Sequence, residues 1–147
     1  MKIKPVFVAT LVLVSGIAKA EIHVETACYS MVPPGKMSKP IRMALRTYVD
    51  QDLKKEVGAF VQYNGSKQII PLVLTRHVST NTDSPDLGNY EISRLEINEK
   101  KVAGEYVFAQ TGAGVTQGKY VKYRSAKTGK VVTFQYAGDD ASCKISY

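Results

Sequence analysis

Residues 41–49, IRMALRTYV, decide the fold class of this chain. Two sets of side chains alternate along the stretch: Ile41, Met43, Leu45, Thr47 and Val49 on one side, and Arg42, Ala44, Arg46 and Tyr48 on the other. A period of two places successive side chains on opposite faces of an extended chain. The stretch therefore predicts a β-strand with one buried face.

Further segments repeat this strand-like pattern, at 22–29, 57–63, 67–78, 90–97, 101–109, 119–126, 130–137 and 142–147. Asn64-Gly65 is a strong hairpin signal between two of them. Pro71 lacks an amide proton, so we expect an edge position or a bulge there. Residues 79–89, STNTDSPDLGN, predict an exposed loop, and residues 50–56 predict a single helical turn at most.

The connections between most of these segments are short, which favours antiparallel pairing of neighbours. With an opening strand at 22–29 and a closing one at 142–147, the sequence therefore predicts an all-β protein of about eight or nine strands in a single antiparallel barrel or sandwich.

The first twenty residues have the features of a secretory signal peptide. A lysine-containing start precedes an apolar run, and Ala18-Lys19-Ala20 matches a cleavage site. The run is too short to favour the alternative of a retained anchor helix. We expect cleavage after residue 20, no lipid anchor because no cysteine follows the cut, and a single domain over residues 21–147 in the periplasm or outside the cell.

Two cysteines, Cys28 and Cys143, lie near opposite ends of the exported chain. In an oxidising compartment such a pair predicts a disulfide, which would close the barrel or sandwich and stabilise it by up to about 4 to 5 kcal/mol in the chain-entropy model. Two cysteines and two separated histidines do not make a zinc site, so neither a metal nor another cofactor is expected.

The charge is moderately basic. The whole chain has 20 basic and 13 acidic residues, and loss of Lys2, Lys4 and Lys19 leaves 17 against 13, a balance of +4. A basic cluster with interleaved tyrosines follows the glycine-rich stretch: Lys119, Tyr120, Lys122, Tyr123, Arg124, Lys127 and Lys130. Export argues against a nucleic-acid partner, which leaves solvated strand faces or a patch for another anionic partner.

Residues typical of catalysis are sparse. His23 and His77 lie outside any recognisable nucleophile motif, and the disulfide would consume both thiols. Glu91 and Glu96 are an odd number of residues apart on one strand, so they face opposite ways and cannot form a glycosidase pair. The sequence predicts a binding protein rather than an enzyme.

Residues 110–120, QTGAGVTQGKY, have the glycines and lysine of a phosphate-binding loop but not its spacing. Ala113 stands where that motif requires glycine, and Tyr120 stands where it requires Ser or Thr. Two interpretations remain: a plain hairpin tip, or a glycine-rich loop that presents its backbone to a partner.

The run Thr111-Gly-Ala-x-x-Thr-x-Gly-x-Tyr-Val-x-Tyr123, followed by Lys127-Thr-Gly129, resembles the signature of the bacterial periplasmic and membrane-bound lysozyme inhibitors. The resemblance implies a small exported barrel of eight antiparallel strands. It also implies that a loop hydroxyl and a downstream lysine bond to the two catalytic carboxylates of a lysozyme. The hydroxyl falls on Thr111 in place of serine and the glycine on Gly112, while Val115 replaces the loop tyrosine.

The lysine of that signature falls on Lys127 if two residues are inserted. A strand of about 25 Å separates Lys127 from the loop, however, so Lys119 at the loop's edge is the better-placed cation. The resulting hypothesis is an exported lysozyme inhibitor whose partner-binding residues are Thr111, Gly112, Lys119, Tyr120 and Lys127. Two alternatives stay open: a barrel that holds an apolar or anionic envelope ligand, and an immunity-type protein that neutralises a cell-wall-degrading toxin through another surface.

Overall fold

The computed structural model of the protein describes residues 21–35, 39–79, 89–112, 118–139 and Cys143. These residues form eight strands, in chain order β1 (Ile22–Met31), β2 (Ile41–Asp50), β3 (Lys55–Tyr63), β4 (Ile69–Ser79), β5 (Tyr90–Asn98), β6 (Lys101–Thr111), β7 (Gly118–Ser125) and β8 (Val131–Asp139). The predicted ninth strand at 142–147 lies outside the described residues except for Cys143.

The strands form one closed barrel in which each strand pairs antiparallel with the next and β8 pairs back with β1. The predicted all-β antiparallel fold is confirmed. Of the two predicted architectures, the structure is a barrel and not a sandwich. Closure removes the free sheet edges that would otherwise invite pairing with other chains.

Antiparallel order sends alternate connections to opposite ends of the barrel. The glycine-rich end, as we call it, contains residue 21 and the β2–β3, β4–β5 and β6–β7 connections. The lysine-rich end contains the β1–β2, β3–β4, β5–β6 and β7–β8 connections.

The barrel interior is filled by inward-facing aliphatic and aromatic side chains. The most central of them are almost inaccessible: Met43, Val61, Tyr106, Phe108, Val121 and Phe134. The rings of Tyr29 and Phe108 meet edge to face with centroids 5.9 Å apart. In β2, Met43 and Leu45 point into this core, as the alternation along residues 41–49 predicts.

Cys28 on β1 is bonded to Cys143, with the two Cα atoms 5.2 Å apart. The predicted disulfide is therefore present. Both cysteines are buried and pack with Ala44 of β2 outside the main core. The bond ties the segment that follows β8 to the first strand of the barrel.

Two connections follow the turn chemistry of their residues. Gly65 has a φ of 76°, and the Ser66 amide donates to the Tyr63 carbonyl at 3.1 Å, so the predicted Asn64-Gly65 hairpin is confirmed. Between β2 and β3, the Asp50 carboxylate accepts from the amides of Asp52 and Leu53, both at 2.9 Å. That connection is a turn at 51–54, and the chain resumes as a strand at residue 55.

Pro71 lies where β4 has a neighbour on one side only. It pairs with Phe60 of β3, whereas pairing of β4 with β5 begins one residue later at Leu72. A residue without an amide proton is tolerated at such a local edge. The alternative that Pro71 itself forms a bulge does not hold, because the irregularity of β4 falls between Leu74 and Arg76.

Candidate functional site

The root of the glycine-rich loop is a regular antiparallel ladder. Thr111 pairs with Gly118, and the next pairs along are Gln110 with Lys119 and Ala109 with Tyr120. The structure therefore brings four of the five predicted site residues, Thr111, Gly112, Lys119 and Tyr120, to the glycine-rich end. Residues 113–117 at the tip lie outside the described part of the chain.

Gly112 is fixed by a contact that connects two hairpins. Its amide donates to the Asn89 side-chain oxygen at 2.8 Å, and its φ of 79° lies in the left-handed region that favours glycine. Asn89 immediately precedes β5, so this bond holds the root of the β6–β7 loop against the β4–β5 connection. The Asn89 side chain thus sets the direction in which the loop leaves β6.

A depression of about 250 Å³ opens beside this root. Its lining crosses four strands and comprises Arg76, Val78, Asn89, Tyr90, Glu91, Ala109, Gln110, Thr111 and Tyr120. Ala109 lies between Glu91 and Tyr120 in adjacent strands and is buried. Because its side chain is a single methyl, it forms a low floor between two longer neighbours.

The rim of the depression carries an ion pair that water reaches freely. Arg76 Nη1 lies 3.5 Å from Glu91 Oε1, and the two side chains are 62% and 47% exposed. Such an exposed pair contributes less than about 1 kcal/mol. Either charge can therefore turn to a bound partner at small cost to folding.

Lys119 and Tyr120 face opposite sides of the barrel wall because they are consecutive residues of β7. Lys119 shares the inward side with Val121, and its ammonium lies 5.2 Å from the centroid of the Tyr136 ring. Tyr120 faces outward over the depression, with the Lys122 ammonium 5.4 Å from its ring centroid. The loop root thus presents a cation at the mouth of the barrel and an aromatic ring outside it.

Lys127 is at the other end of the molecule. Gly104 pairs with Ser125 at the lysine-rich end, while Thr111 pairs with Gly118 at the opposite end of the same ladder. The eight residues of β7 separate these ends by about 25 Å. Thr111 and Lys127 therefore do not share a surface, and Lys119 is the cation that accompanies the loop.

The two ends differ in charge. In and next to the described connections of the lysine-rich end stand six lysines and one glutamate: Lys39, Lys67, Lys100, Lys101, Lys127, Lys130 and Glu99. The corresponding residues of the glycine-rich end are mixed: Glu21, Asp50 and Asp52 against Lys54 and Lys55. The basic excess of the chain is concentrated away from the glycine-rich loop.

Chemistry-bearing residues are dispersed in the part of the chain that the structure describes. No three potential metal-ligating side chains cluster there. His23 and His77 are both exposed. Among the same residues, no helix has the length and hydropathy of a membrane span.

Sequence reasoning missed Asn89, Arg76 and Glu91 as parts of this site. Asn89 ends a polar stretch that predicts only a loop, and its partner Gly112 lies 23 residues away along the chain. Arg76 and Glu91 meet across β4 and β5, after a bulge that shifts the register of β4. Spacing along one strand contains no signal for either contact.

Comparisons of the chain with protein-family models, with curated protein sequences and with solved structures gave no match.

Proposed function

We propose that the protein is an exported inhibitor that inserts the glycine-rich end of its barrel into the active-site cleft of a lysozyme. The observation that supports this best is the Asn89–Gly112 bond, which fixes the root of a glycine-rich loop beside an open depression. A loop with a fixed root loses less conformational entropy when it enters a cleft than a loop free at its base.

The chemistry at this end suits a carboxylate-lined cleft. Thr111 supplies a hydroxyl and Lys119 an ammonium, and both can donate to carboxylate oxygens. A hydrogen bond to a charged group contributes roughly 1.5 to 3 kcal/mol. Tyr120 and the apolar floor at Ala109 add area that excludes water around those bonds.

The charge distribution removes an obstacle to this proposal. Many animal lysozymes are basic, and a uniformly basic inhibitor would be repelled by them. Here the lysine excess lies at the end remote from the loop, and three acidic residues stand against two basic ones in and next to the described connections of the glycine-rich end. The approach of a basic lysozyme to that end is therefore not opposed by the net charge.

The two alternatives predict different surfaces. A barrel that holds an envelope ligand needs interior space, and the interior of this barrel is occupied by buried side chains such as Met43, Tyr106 and Phe134. An immunity-type protein would neutralise a toxin through a surface other than the loop root, so it is separable by mutation.

The test is inhibition of cell-wall clearing by a panel of lysozymes of different classes, using the chain from Glu21 onward. Thr111→Ala and Lys119→Ala are each expected to weaken inhibition by about tenfold to a hundredfold, as lost charge-assisted bonds. Lys127→Ala is the matched control, since it removes the same ammonium from the opposite end. Failure to inhibit any lysozyme, or equal effects of all three substitutions, would overturn the proposal.

A further inference from the structure

The four connections of the lysine-rich end share one composition. Each contains or adjoins at least one exposed lysine: Lys39, Lys67, Lys100 with Lys101, and Lys127 with Lys130. Each also has an exposed aliphatic side chain at or next to the end of a flanking strand: Val32, Ile41, Ile69, Val102 and Val131. Lysines and large aliphatic residues therefore occur together in or beside the described parts of all four connections at this end of the barrel.

These lysines have no internal role that would explain them. The two ion pairs among the described residues, Arg76–Glu91 and Arg94–Glu56, use none of them. Glu99 is the one acidic residue in the described parts of the four connections. Exposed aliphatic side chains are also common at the glycine-rich end, but acidic residues accompany them there. The lysine-rich rim is thus a strongly charged surface that the fold leaves unused.

We infer that the lysine-rich end docks on an anionic phospholipid surface. Juxtaposed lysines are attracted to acidic headgroups, and short aliphatic side chains at the same level can enter the boundary between headgroups and acyl chains. The exposed aliphatic residues favour a bilayer as the partner rather than a soluble anionic polymer, because a polymer of sugars and phosphates offers them no apolar environment. A nucleic acid would call for stacking aromatic side chains, and the exposed apolar residues of this rim are aliphatic.

Docking in this way would orient the barrel with its glycine-rich end away from the bilayer, at a distance set by strands of 8 to 11 residues. The inference does not rest on lysozyme inhibition, since it concerns the opposite end and different residues. Docking also requires no covalent lipid, because the attraction of the lysines to acidic headgroups and the shallow insertion of the aliphatic side chains both contribute to membrane binding.

The experiment is co-sedimentation of the chain from Glu21 onward with vesicles of phosphatidylglycerol and phosphatidylcholine in equal parts. Pure phosphatidylcholine vesicles serve as the uncharged reference. We expect binding to the mixed vesicles, little to the reference, and loss of binding as salt rises from about 0.05 to about 0.5 M. Lack of binding to the mixed vesicles at low salt would overturn the inference.

Two sets of variants locate the surface. The combined change Lys100→Ala, Lys101→Ala, Lys127→Ala and Lys130→Ala should lower the partition coefficient by about a hundredfold or more, at about fivefold for each lysine. Lys54→Ala with Lys55→Ala removes two lysines from the glycine-rich end and should leave binding within about twofold. Equal losses in the two sets would contradict the assignment of this end.

A third variant distinguishes a bilayer from a soluble polymer. Val102→Ser with Val131→Ser keeps every charge and should weaken vesicle binding by about tenfold or more, since it removes two apolar side chains from the boundary. It should leave binding to soluble polyglycerol phosphate unchanged. If the variant binds vesicles as the parent does, or if the soluble polymer displaces the parent from vesicles at equal phosphate concentration, the partner is an anionic polymer and the inference fails. Circular dichroism of every variant confirms that it is folded.

Discussion

Arg94 lies inside the barrel on β5, and its guanidinium donates two hydrogen bonds to the carboxylate of Glu56 on β3. The Nε–Oε1 distance is 3.0 Å and the Nη2–Oε2 distance is 2.5 Å. Glu56 belongs to the part of β3 that has no partner in β4, because the β3–β4 ladder covers only residues 59–62 and 69–72. The ion pair therefore links β3 to β5 where the strand between them has diverged. The Phe108 ring supports the guanidinium from within, 4.8 Å from Cζ to the ring centroid.

We expect Glu56→Gln to destabilise the fold by about 3 to 5 kcal/mol, because it leaves the Arg94 charge buried without its counter-ion. The Arg94 side chain is 3% exposed, and its Nη1 already has no hydrogen-bond partner. Urea unfolding of the variant gives the loss of unfolding free energy directly.

Glu91→Gln is the matched control for that measurement. It breaks the exposed pair with Arg76 and should cost less than about 1 kcal/mol. If the two substitutions cost the same, the inner pair does not hold the divergent strands together. Replacing both buried partners, with Arg94→Met and Glu56→Leu, should restore part of the stability that Glu56→Gln loses.

The disulfide gives a second prediction. Cys28 and Cys143 are 115 residues apart, so their bond constrains most of the unfolded chain. We expect Cys28→Ser with Cys143→Ser to lower the free energy of unfolding by about 4 to 5 kcal/mol. The comparison is urea unfolding of the oxidised parent and the variant, after mass spectrometry of non-reduced peptides has established the linkage in the parent. A loss below about 1 kcal/mol would show that the bond adds little to the closed barrel.

Gly104 gives a third prediction, from packing. A methyl group on Gly104 would overlap the Tyr123 ring, whose hydroxyl oxygen would lie 2.6 Å from the new carbon. Tyr123 cannot easily withdraw, since its ring packs on Tyr106 with centroids 4.6 Å apart. Gly104→Ala should therefore destabilise by about 1 to 3 kcal/mol.

A double-mutant cycle tests that cause. In a Tyr123→Leu background the ring is gone, so Gly104→Ala should cost clearly less than it does alone. Strictly additive losses would show that overlap with the Tyr123 ring is not the cause.

The strand alternation in the sequence predicted most of the fold because each face of each strand has one dominant environment. Met43, Leu45 and Val61 are apolar at the expected period, and all three are buried. The alternation could not distinguish barrel from sandwich, because closure depends on the pairing of β1 with β8 across most of the chain. The burial of Arg94 could not be predicted from the alternation either, since an arginine in a strand normally predicts an outward position.

The site was predictable only where neighbours in sequence are also neighbours in space. Thr111, Gly112, Lys119 and Tyr120 flank one loop, so a hairpin brings them together whatever the rest of the fold does. Lys127 belongs to the next connection, and antiparallel order sends it to the opposite end. The resemblance that named Lys127 contained no information on that order.

Alkaline pH gives a fourth prediction. Burial, together with the nearby Glu96 carboxylate, raises the pKa of Tyr123 to about 12. An unfolded tyrosine titrates near about 10, so the unfolded chain releases its proton first as pH rises. Stability from the protonated hydroxyl is complete below about pH 10 and is lost as pH rises through about 12. Burial raises the pKa values of Tyr29, Tyr63 and Tyr106 in the same direction.

Urea unfolding at several values between about pH 9 and about pH 11 should therefore show a steady fall in stability. Tyr123→Phe removes one titrating hydroxyl, so its stability should fall less steeply than that of the parent. Identical slopes for the two proteins would mean that Tyr123 titrates normally in the folded state.

The last prediction separates binding from folding at the loop root. Asn89→Ala removes the acceptor for the Gly112 amide and should cost about 0.5 to 1.5 kcal/mol of stability. Asn64→Ala is a close chemical match at the opposite end, because the Asn64 side-chain oxygen accepts from the Arg42 amide at the same 2.8 Å. The two substitutions should therefore destabilise the barrel similarly.

If the glycine-rich loop enters a lysozyme cleft, Asn89→Ala alone should weaken inhibition, by about threefold to tenfold, since the freed loop must be ordered again on binding. Inhibition constants for the two variants against the same lysozyme, with stability matched by urea unfolding, decide the point: equal inhibition by both would mean that the orientation of the loop root is irrelevant to the partner.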